Sequence, residues 1–264
     1  MYNVLSIAGT DPSSGAGIQA DLKTFSALGV YGTTVITTLI AQNTCGVQSI
    51  YPVSSSFVAT QLESIFSDIC IHSIKIGLLS KPSIIKVVIE KINKYRIPWI
   101  VLDPVMTSSN GYKFLSNHAI KMIKNDLLPL VSMITPNLPE AALLLDSIIA
   151  KDEDHIISQG KKLLLLGCKV VIMKGGHLEG NLSPDWFIKS DEVIKINTPK
   201  INTKNTHGTG CTLSAAIAAK RPQCKNWFQA FSDAKTWLNQ SIIHGNKLSI
   251  GKGNGPVHHF YQWW

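Results

Sequence analysis

Short apolar runs alternate with longer segments of helical period along most of the chain, and this alternation limits the fold more than any single motif. VLSIAG, TTVITTLIA, SIKIG, WIVLD, SMITP and KVVIMKGG are almost wholly apolar and read as strands buried on both faces. LKTFSALG, SSSFVATQLESIFSDI, PSIIKVVIEKINKYR, LSNHAIKMIKNDLLPLV, LPEAALLLD and DHIISQGKKLLLLG lie between them as helices. This rhythm predicts the α/β class: a mostly parallel sheet with helices on both faces. Ser54–Ser56 offer a helix start, and Pro98 stops a helix before WIVLD. Beyond Gly176, DWFIKS and EVIKINTP read as a small β-hairpin at the sheet edge. A helix from Thr212 and a last one over WFQAFSDAKTWLNQSII follow. Trp263 and Trp264 are expected to pack the C-terminus onto the domain. No internal repeat or linker interrupts the 264 residues, so a single domain, 1–264, is expected.

In such sheets ligands bind beyond the carboxyl ends of the strands. The residues expected there are polar: GTDPSSGAG, Gln42-Asn43, Gly77-Leu78, Asp103-Pro104-Val105, Thr135-Pro136-Asn137 with Glu140 a turn on, and Lys174-Gly175-Gly176.

Gly15-Ala16-Gly17-Ile18-Gln19-Ala20 fits a GxGxxA dinucleotide fingerprint, but it starts too far from the strand end, and Ala41-Gln42-Asn43 stands where an acidic residue is needed. A glycine-rich helix entry, or a close backbone approach to a small substrate near Asp21, fits better. No Walker A motif is present. Gly208-Thr209-Gly210-Cys211 opening a helix is another device for holding an anion, because amides and helix dipole converge there; alone it is equally a tight helix cap. Lys174 ends an apolar strand, where it is desolvated unless it faces an anion or snorkels at the sheet edge. Asp103 and Glu140 suggest a hydrated Mg²⁺, which needs few protein ligands, although each has an ordinary turn or helix-start role. His207 reads as a turn residue or a phosphate contact, and His258 and His259 as tail packing.

A net charge of +8 comes with only two arginines, Arg96 and Arg221, and with lysines spread along helix faces. An anionic small-molecule substrate is expected rather than nucleic acid. The five cysteines form no CxxC pair or zinc spacing, which suits a reducing cytosol. No membrane span or export signal is read, and the expected location is cytoplasmic.

IAGTDPSSGAGIQADLKTF, AQNTCGVQSIYPV, KIGLL, VLDPVM, ITPNLPEAALLL, VIMKGGH, TKNTHGTGCTLSAAIAA and GNGPVHHF together resemble the bacterial hydroxymethylpyrimidine/phosphomethylpyrimidine kinases of thiamine synthesis. The resemblance implies a ribokinase-like three-layer αβα sandwich, a homodimer, and two ATP- and Mg²⁺-dependent phosphorylations: of 4-amino-5-hydroxymethyl-2-methylpyrimidine, then of its monophosphate. It implies that Gln42 bonds the pyrimidine edge and that Asp21, Gly9, Ile40, Leu78 and Val105 line the same pocket. Asp103 and Glu140 become metal-side residues, with Asn137 beside them. Lys174, Thr206, Thr209 and Gly210 hold ATP phosphates, and Lys235 reaches the nucleotide from the last helix. The γ-phosphate is expected over Gly208–Cys211. Sugar kinases of the same fold place Asp where Cys211 stands, and a thiol at a helix N-terminus with a lowered pKa would serve as general base. Two departures are visible: Leu78 where the family often has Met, and a divergent segment Thr107–Phe114. Pyridoxine or pyridoxal kinase activity is the alternative reading.

Overall fold

Continuous apolar runs are stable as strands only where both faces are covered, and the arrangement of elements meets that demand. The structure of the protein, a computed structural model, describes residues 1–107, 113–176 and 178–264. Along the chain come β1 (Asn3–Gly9), α1 (Gly17–Ala27), β2 (Tyr31–Asn43), β3 (Gly46–Pro52), α2 (Ser55–Phe66), β4 (Ser73–Ile76), α3 (Pro82–Tyr95) and β5 (Trp99–Leu102). Then follow α4 (Asn117–Met122), β6 (Met133–Ile134), α5 (Leu138–Leu144), α6 (Glu153–Leu164), β7 (Val170–Lys174), β8 (Leu182–Ile188), β9 (Val193–Pro199), α7 (Thr209–Lys220) and α8 (Trp227–Gly245). The strands form one sheet in the order β3-β2-β1-β4-β5-β6-β7-β8-β9. The run from β2 to β7 is parallel, while β3, β8 and β9 pair antiparallel.

The sheet separates two apolar cores. Side chains of α2, α3, α5 and α6, including Val58, Leu62, Ile84, Val88, Ala141 and Ile156, fill one. Phe25 of α1, the small residues of α7, and Phe231 and Trp237 of α8 fill the other. This is the expected three-layer αβα arrangement. α7 is buried along Thr212–Ala219, and its alanines and serine let it lie centrally against β4, β5, α1 and α8.

Local chemistry sets the element ends. Ser54 caps α2 by accepting from the Phe57 amide. Arg96, at φ 49°, closes α3 two residues before Pro98. The helix expected over residues 115–131 is not uniform. α4 passes into a π-helical turn at Ile123–Leu127 and a 3₁₀ turn at Leu128–Leu130, where Pro129 lacks the amide a continuing α-helix needs. The expected edge hairpin is β8–β9. A second one, β2–β3 at the opposite edge, was not expected because β3 has no buried residue and carries no apolar run. Trp263 and Trp264 do not bury themselves: they are 69% and 74% exposed, Trp264 covering His258 with ring centroids 4.6 Å apart. His258 and His259 are buried as packing residues.

β1 and β4 flank the point where the strand order reverses, so their carboxyl ends open a crevice. Below it the strands are not purely apolar. Lys75 of β4 is fully buried and its ammonium meets Asp21 of α1 at 2.8 and 2.9 Å. Ser6 of β1 donates to Asp21 at 2.5 Å. Burial drives the Asp21 carboxyl upward, opposed by Lys75 and Ser6, and the Lys75 ammonium is held above its usual range by Asp21 against its own burial. Removing one partner strands the other charge. Lys75→Met is expected to lower unfolding free energy by about 3–5 kcal/mol in urea titration, and Lys75→Met with Asp21→Leu to recover much of the loss.

Candidate active site

β1 does not run straight into α1. Gly9 ends the strand, and the loop to Gly17 folds around Asp11, which is fully buried. One Asp11 oxygen accepts from the Ser13 amide and hydroxyl at 2.9 and 2.6 Å. The other accepts from the Gly15 and Ala16 amides at 3.1 and 2.7 Å and meets His207 Nε2 at 2.8 Å. Burial pushes this carboxyl up, but the bonds from His207, Ser13 and Ala16 outweigh it and hold it well below the usual carboxylate range. His207 is thus a turn residue tied to the first glycine loop. Gly208 follows at φ 75°, and a Cβ there would lie 1.8 Å from the Gly15 carbonyl oxygen. The two glycine-rich turns dock backbone to backbone, which no side chain at 208 permits.

Gly208 caps α7, whose first amides have no intrahelical partner. Thr206, Thr209, Gly210 and Cys211 line a cavity of about 710 Å³ at the strand ends. Lys174, ending β7, faces it. Its Nζ lies 3.1 Å from Asp103 Oδ1, 4.0 Å from Glu140 Oε2, and 3.2 Å from where a Cβ on Gly210 would stand. Burial disfavours its charge, yet Asp103 and Glu140 raise its pKa overall. Asn137 and Glu140 form a capping box at the start of α5, each side chain bonding the other's backbone amide at 2.8 Å. Burial, with Asp103 nearby, raises the Glu140 carboxyl to about 7 despite Lys174 and the Asn137 amide.

Gly9, Ile40, Gln42, Leu78 and Val105 line the other end of the cavity. Asp21 does not: it lies wholly buried behind Lys75, which takes the wall position in its place. Lys235 reaches the cavity from α8 and pairs with Asp185 of β8 at 2.6 Å, while the other Asp185 oxygen accepts from the Gly175 amide at 3.1 Å. Asp11, Lys75 and Asp185 were not singled out from sequence. Each is a charged residue next to or inside an apolar strand, and that misfit was the available signal.

The thiolate expected at Cys211 is not supported. Cys211 is half-buried and lines the cavity, and burial pushes the thiol up to about 12, aided by Asp103 and Asp21 and only partly opposed by Lys75 and the Gly17 amide. A neutral thiol stands at the anion turn. Of the divergent segment Thr107–Phe114, residues 108–112 lie outside the described residues, as does His177. Thr107 and Lys113 at its ends form an antiparallel bridge.

The model of a family described as phosphomethylpyrimidine kinase matches residues 11–258. The chain belongs to the phosphomethylpyrimidine kinase family. A hydroxymethylpyrimidine/phosphomethylpyrimidine kinase of Salmonella typhimurium is 54% identical over 99% of this chain and 98% of the relative. The crystal structure of phosphomethylpyrimidine kinase from Clostridium difficile superposes with a TM-score of 0.82 at 38% identity, covering 92% of this chain and all of that one. The structure of pyridoxal kinase from Staphylococcus aureus in complex with ADP gives 0.92 at 30% identity, covering all of this chain and 95% of that one. The expected ribokinase-like fold is therefore present.

Phosphomethylpyrimidine kinase chemistry calls for negative charge to be offset around phosphates, and the donor set here can be tested against a divalent cation. No group of three or more His, Cys, Asp or Glu among the described residues forms a metal cage. Mg²⁺ needs no such cage, since it keeps waters and takes one or two carboxylates plus phosphate oxygens. Asp103 and Glu140, both close to Lys174 on the cavity wall, fit that requirement.

The raised Glu140 pKa has a signed consequence. Between its ordinary value near 4.5 and about 7, the folded protein binds a proton that the unfolded chain has released, so stability falls as pH rises through this window. In nucleotide-free protein without added metal, Glu140→Gln should remove that fall. Urea unfolding of both proteins at pH 5 and pH 7.5 measures it, and equal pH slopes would contradict it.

Proposed function

We propose that the protein transfers the γ-phosphoryl group of ATP to the hydroxymethyl group of 4-amino-5-hydroxymethyl-2-methylpyrimidine, and then phosphorylates the resulting monophosphate, as a step of thiamine synthesis. The observation that carries this reading is a single cavity with Gln42 and apolar side chains at one end, and Lys174 with a glycine turn at a helix N-terminus at the other. The Gln42 amide offers a donor and an acceptor, which match a ring nitrogen beside an exocyclic amine. Ile40, Leu78, Val105 and the Gly9 backbone give the ring apolar walls.

Phosphoryl transfer asks for alignment and charge neutralisation rather than covalent help. The amides of Gly210 and Cys211 and the hydroxyls of Thr206 and Thr209 hold phosphate oxygens, and Lys174 balances charge spreading onto them in the transition state. Mg²⁺, near Asp103 and Glu140 with Asn137 beside them, would add positive charge at the same oxygens. Lys235 meets the nucleotide after leaving Asp185. Cys211, a thiol rather than a thiolate, orients the hydroxymethyl oxygen by hydrogen bonding. In a loose transition state that oxygen keeps its proton until bond formation is advanced, so a strong base is not required.

One continuous sheet supports reading residues 1–264 as a single kinase unit. A homodimer and a cytoplasmic location belong to the same reading, and no helix of the described residues is long and apolar enough to cross a membrane.

Mass analysis of products formed from ATP, Mg²⁺ and the hydroxymethylpyrimidine should show the monophosphate and then the diphosphate. A clear preference for pyridoxine in side-by-side turnover would overturn the choice of substrate. Lys174→Ala should lower kcat by about 10²–10³ while leaving the pyrimidine KM within about threefold. A thiolate base with a pKa about 12 would make kcat rise tenfold per pH unit from 7 to 9. The expected profile lacks that rise, and Cys211→Ser should retain at least about a tenth of the wild-type kcat.

A further inference from the structure

β2 has thirteen residues and β1 seven, and the last β1–β2 pair is Gly9 with Thr38. From Leu39 to Asn43, β2 therefore pairs only with β3. These five residues extend the hairpin beyond the sheet by about 16 Å as a two-stranded ribbon. Ile40 and Gln42, two apart, share the face that lines the cavity. Between Ala41 and Gln42 the register slips, so that Ser49 and Val47 are the β3 partners and Gln48 is left over. A bulge of this kind adds twist to a ribbon that is weakly stable by itself. The Ile40 amide donates to Thr10 Oγ1 at 3.0 Å near the base of the ribbon, and beyond that point the place of the Gln42 amide depends on what holds the tip.

Thr44 ties the tip to a distant segment of the chain. Thr44 Oγ1 accepts from the Gly253 amide at 3.1 Å, and the Thr44 carbonyl accepts from the Asn254 amide at 3.0 Å. The fit is too close for side chains on the partner segment. A Cβ on Gly251, at φ 70°, would stand 2.2 Å from Thr44 Oγ1, and one on Gly253 would stand 2.1 Å from the Thr44 carbonyl oxygen. Within the hairpin, Asn43 Oδ1 accepts from the Cys45 amide at 2.9 Å and tightens the turn. The clasping segment then runs directly to the anion turn: the Gly255 carbonyl accepts from the His207 amide at 3.0 Å, and Pro256 bridges to His207.

We propose that Thr44 is a positioning residue for the acceptor substrate. Residues 251–256 act as a strap that fixes the reach of Gln42 relative to the phosphate-holding turn. The strap ties both ends of the cavity to one short piece of chain, so the ring and the glycine turn keep a set separation. This rests on the reading that Gln42 bonds the pyrimidine.

Steady-state kinetics on Thr44→Val, Thr44→Ser and Gly253→Ala test the proposal, with wild type and Gln42→Ala alongside. Thr44→Val keeps the shape and loses the hydroxyl. It should raise the pyrimidine KM about tenfold while the ATP KM stays within about twofold. Thr44→Ser should behave as wild type, and Gly253→Ala, which pushes the same tip from the other side, should show the same split. Equal changes in both KM values, or none, would overturn the proposal. So would a Thr44→Val protein whose only defect is a lowered thermal midpoint, since the clasp would then be structural alone. Failure of the wild type to use the pyrimidine, or an unchanged pyrimidine KM in Gln42→Ala, would instead count against the functional reading beneath it.

Discussion

The bonds around the Asp11 carboxylate hold the two halves of the site together. Asp11 lies near the start of the chain and His207 near its end, and their contact at 2.8 Å joins the loop after β1 to the turn before α7. The same carboxylate collects amides from Ser13, Gly15 and Ala16, so one buried charge is satisfied by several donors at once. Bonds of this charge-assisted kind contribute about 1.5–3 kcal/mol each, and their loss would leave several buried amides unpaired. The glycines follow from this contact. Once Asp11 and His207 meet, Gly208 lies against the Gly15 carbonyl, and only a residue without a Cβ fits.

Charge is arranged with the same economy in the cavity. Three lysines, Lys75, Lys174 and Lys235, each approach a carboxylate before any phosphate arrives: Asp21, Asp103 with Glu140, and Asp185 respectively. Four carboxylates face three ammonium groups, so the site carries no surplus positive charge of its own. Pre-pairing keeps buried lysines charged, and it means that a phosphate must exchange with a carboxylate partner rather than fill an empty cationic hole. Burial, with a smaller push from Asp103, raises the Glu140 carboxyl to about 7 even with Lys174 beside it. A polyphosphate entering this environment needs positive charge from outside the chain, which is why a divalent cation is a natural part of the proposed reaction.

The sheet, its parallel core and the edge hairpin after Gly176 were legible because burial on both faces demands uninterrupted apolar runs. That Lys174, Asp103 and the glycine turn would meet at one cavity was legible because the carboxyl ends of parallel strands open onto a common crevice. Asp21 was misplaced because a sequence shows that a carboxylate lies one turn into α1 but not which way it faces, and Lys75, a misfit in the apolar strand β4, did not by itself show which carboxylate it would pair with. The β2–β3 ribbon was missed for a different reason. Its second strand has no buried residue, and such strands lack the alternation that burial imposes. The Thr44 clasp joins one hydroxyl and a carbonyl to backbone amides about 210 residues away, and such a contact leaves no pattern in one sequence.

The thiol at position 211 makes sense within this charge balance. The helix N-terminus favours an anion at that point, which is why a lowered pKa was expected there, and Lys75 acts in the same direction. Burial and the nearby Asp103 and Asp21 oppose it more strongly, and the thiol is pushed up to about 12. A carboxylate at 211 would add a negative group near Asp103 and Asp21, in the turn whose amides are needed for phosphate. A neutral thiol leaves those amides and their partial positive charge to the incoming anion, while still offering a weak hydrogen bond to the acceptor hydroxyl. The same reasoning explains why the cysteine can stand in an anion-binding turn at all: it occupies the position without competing for the charge.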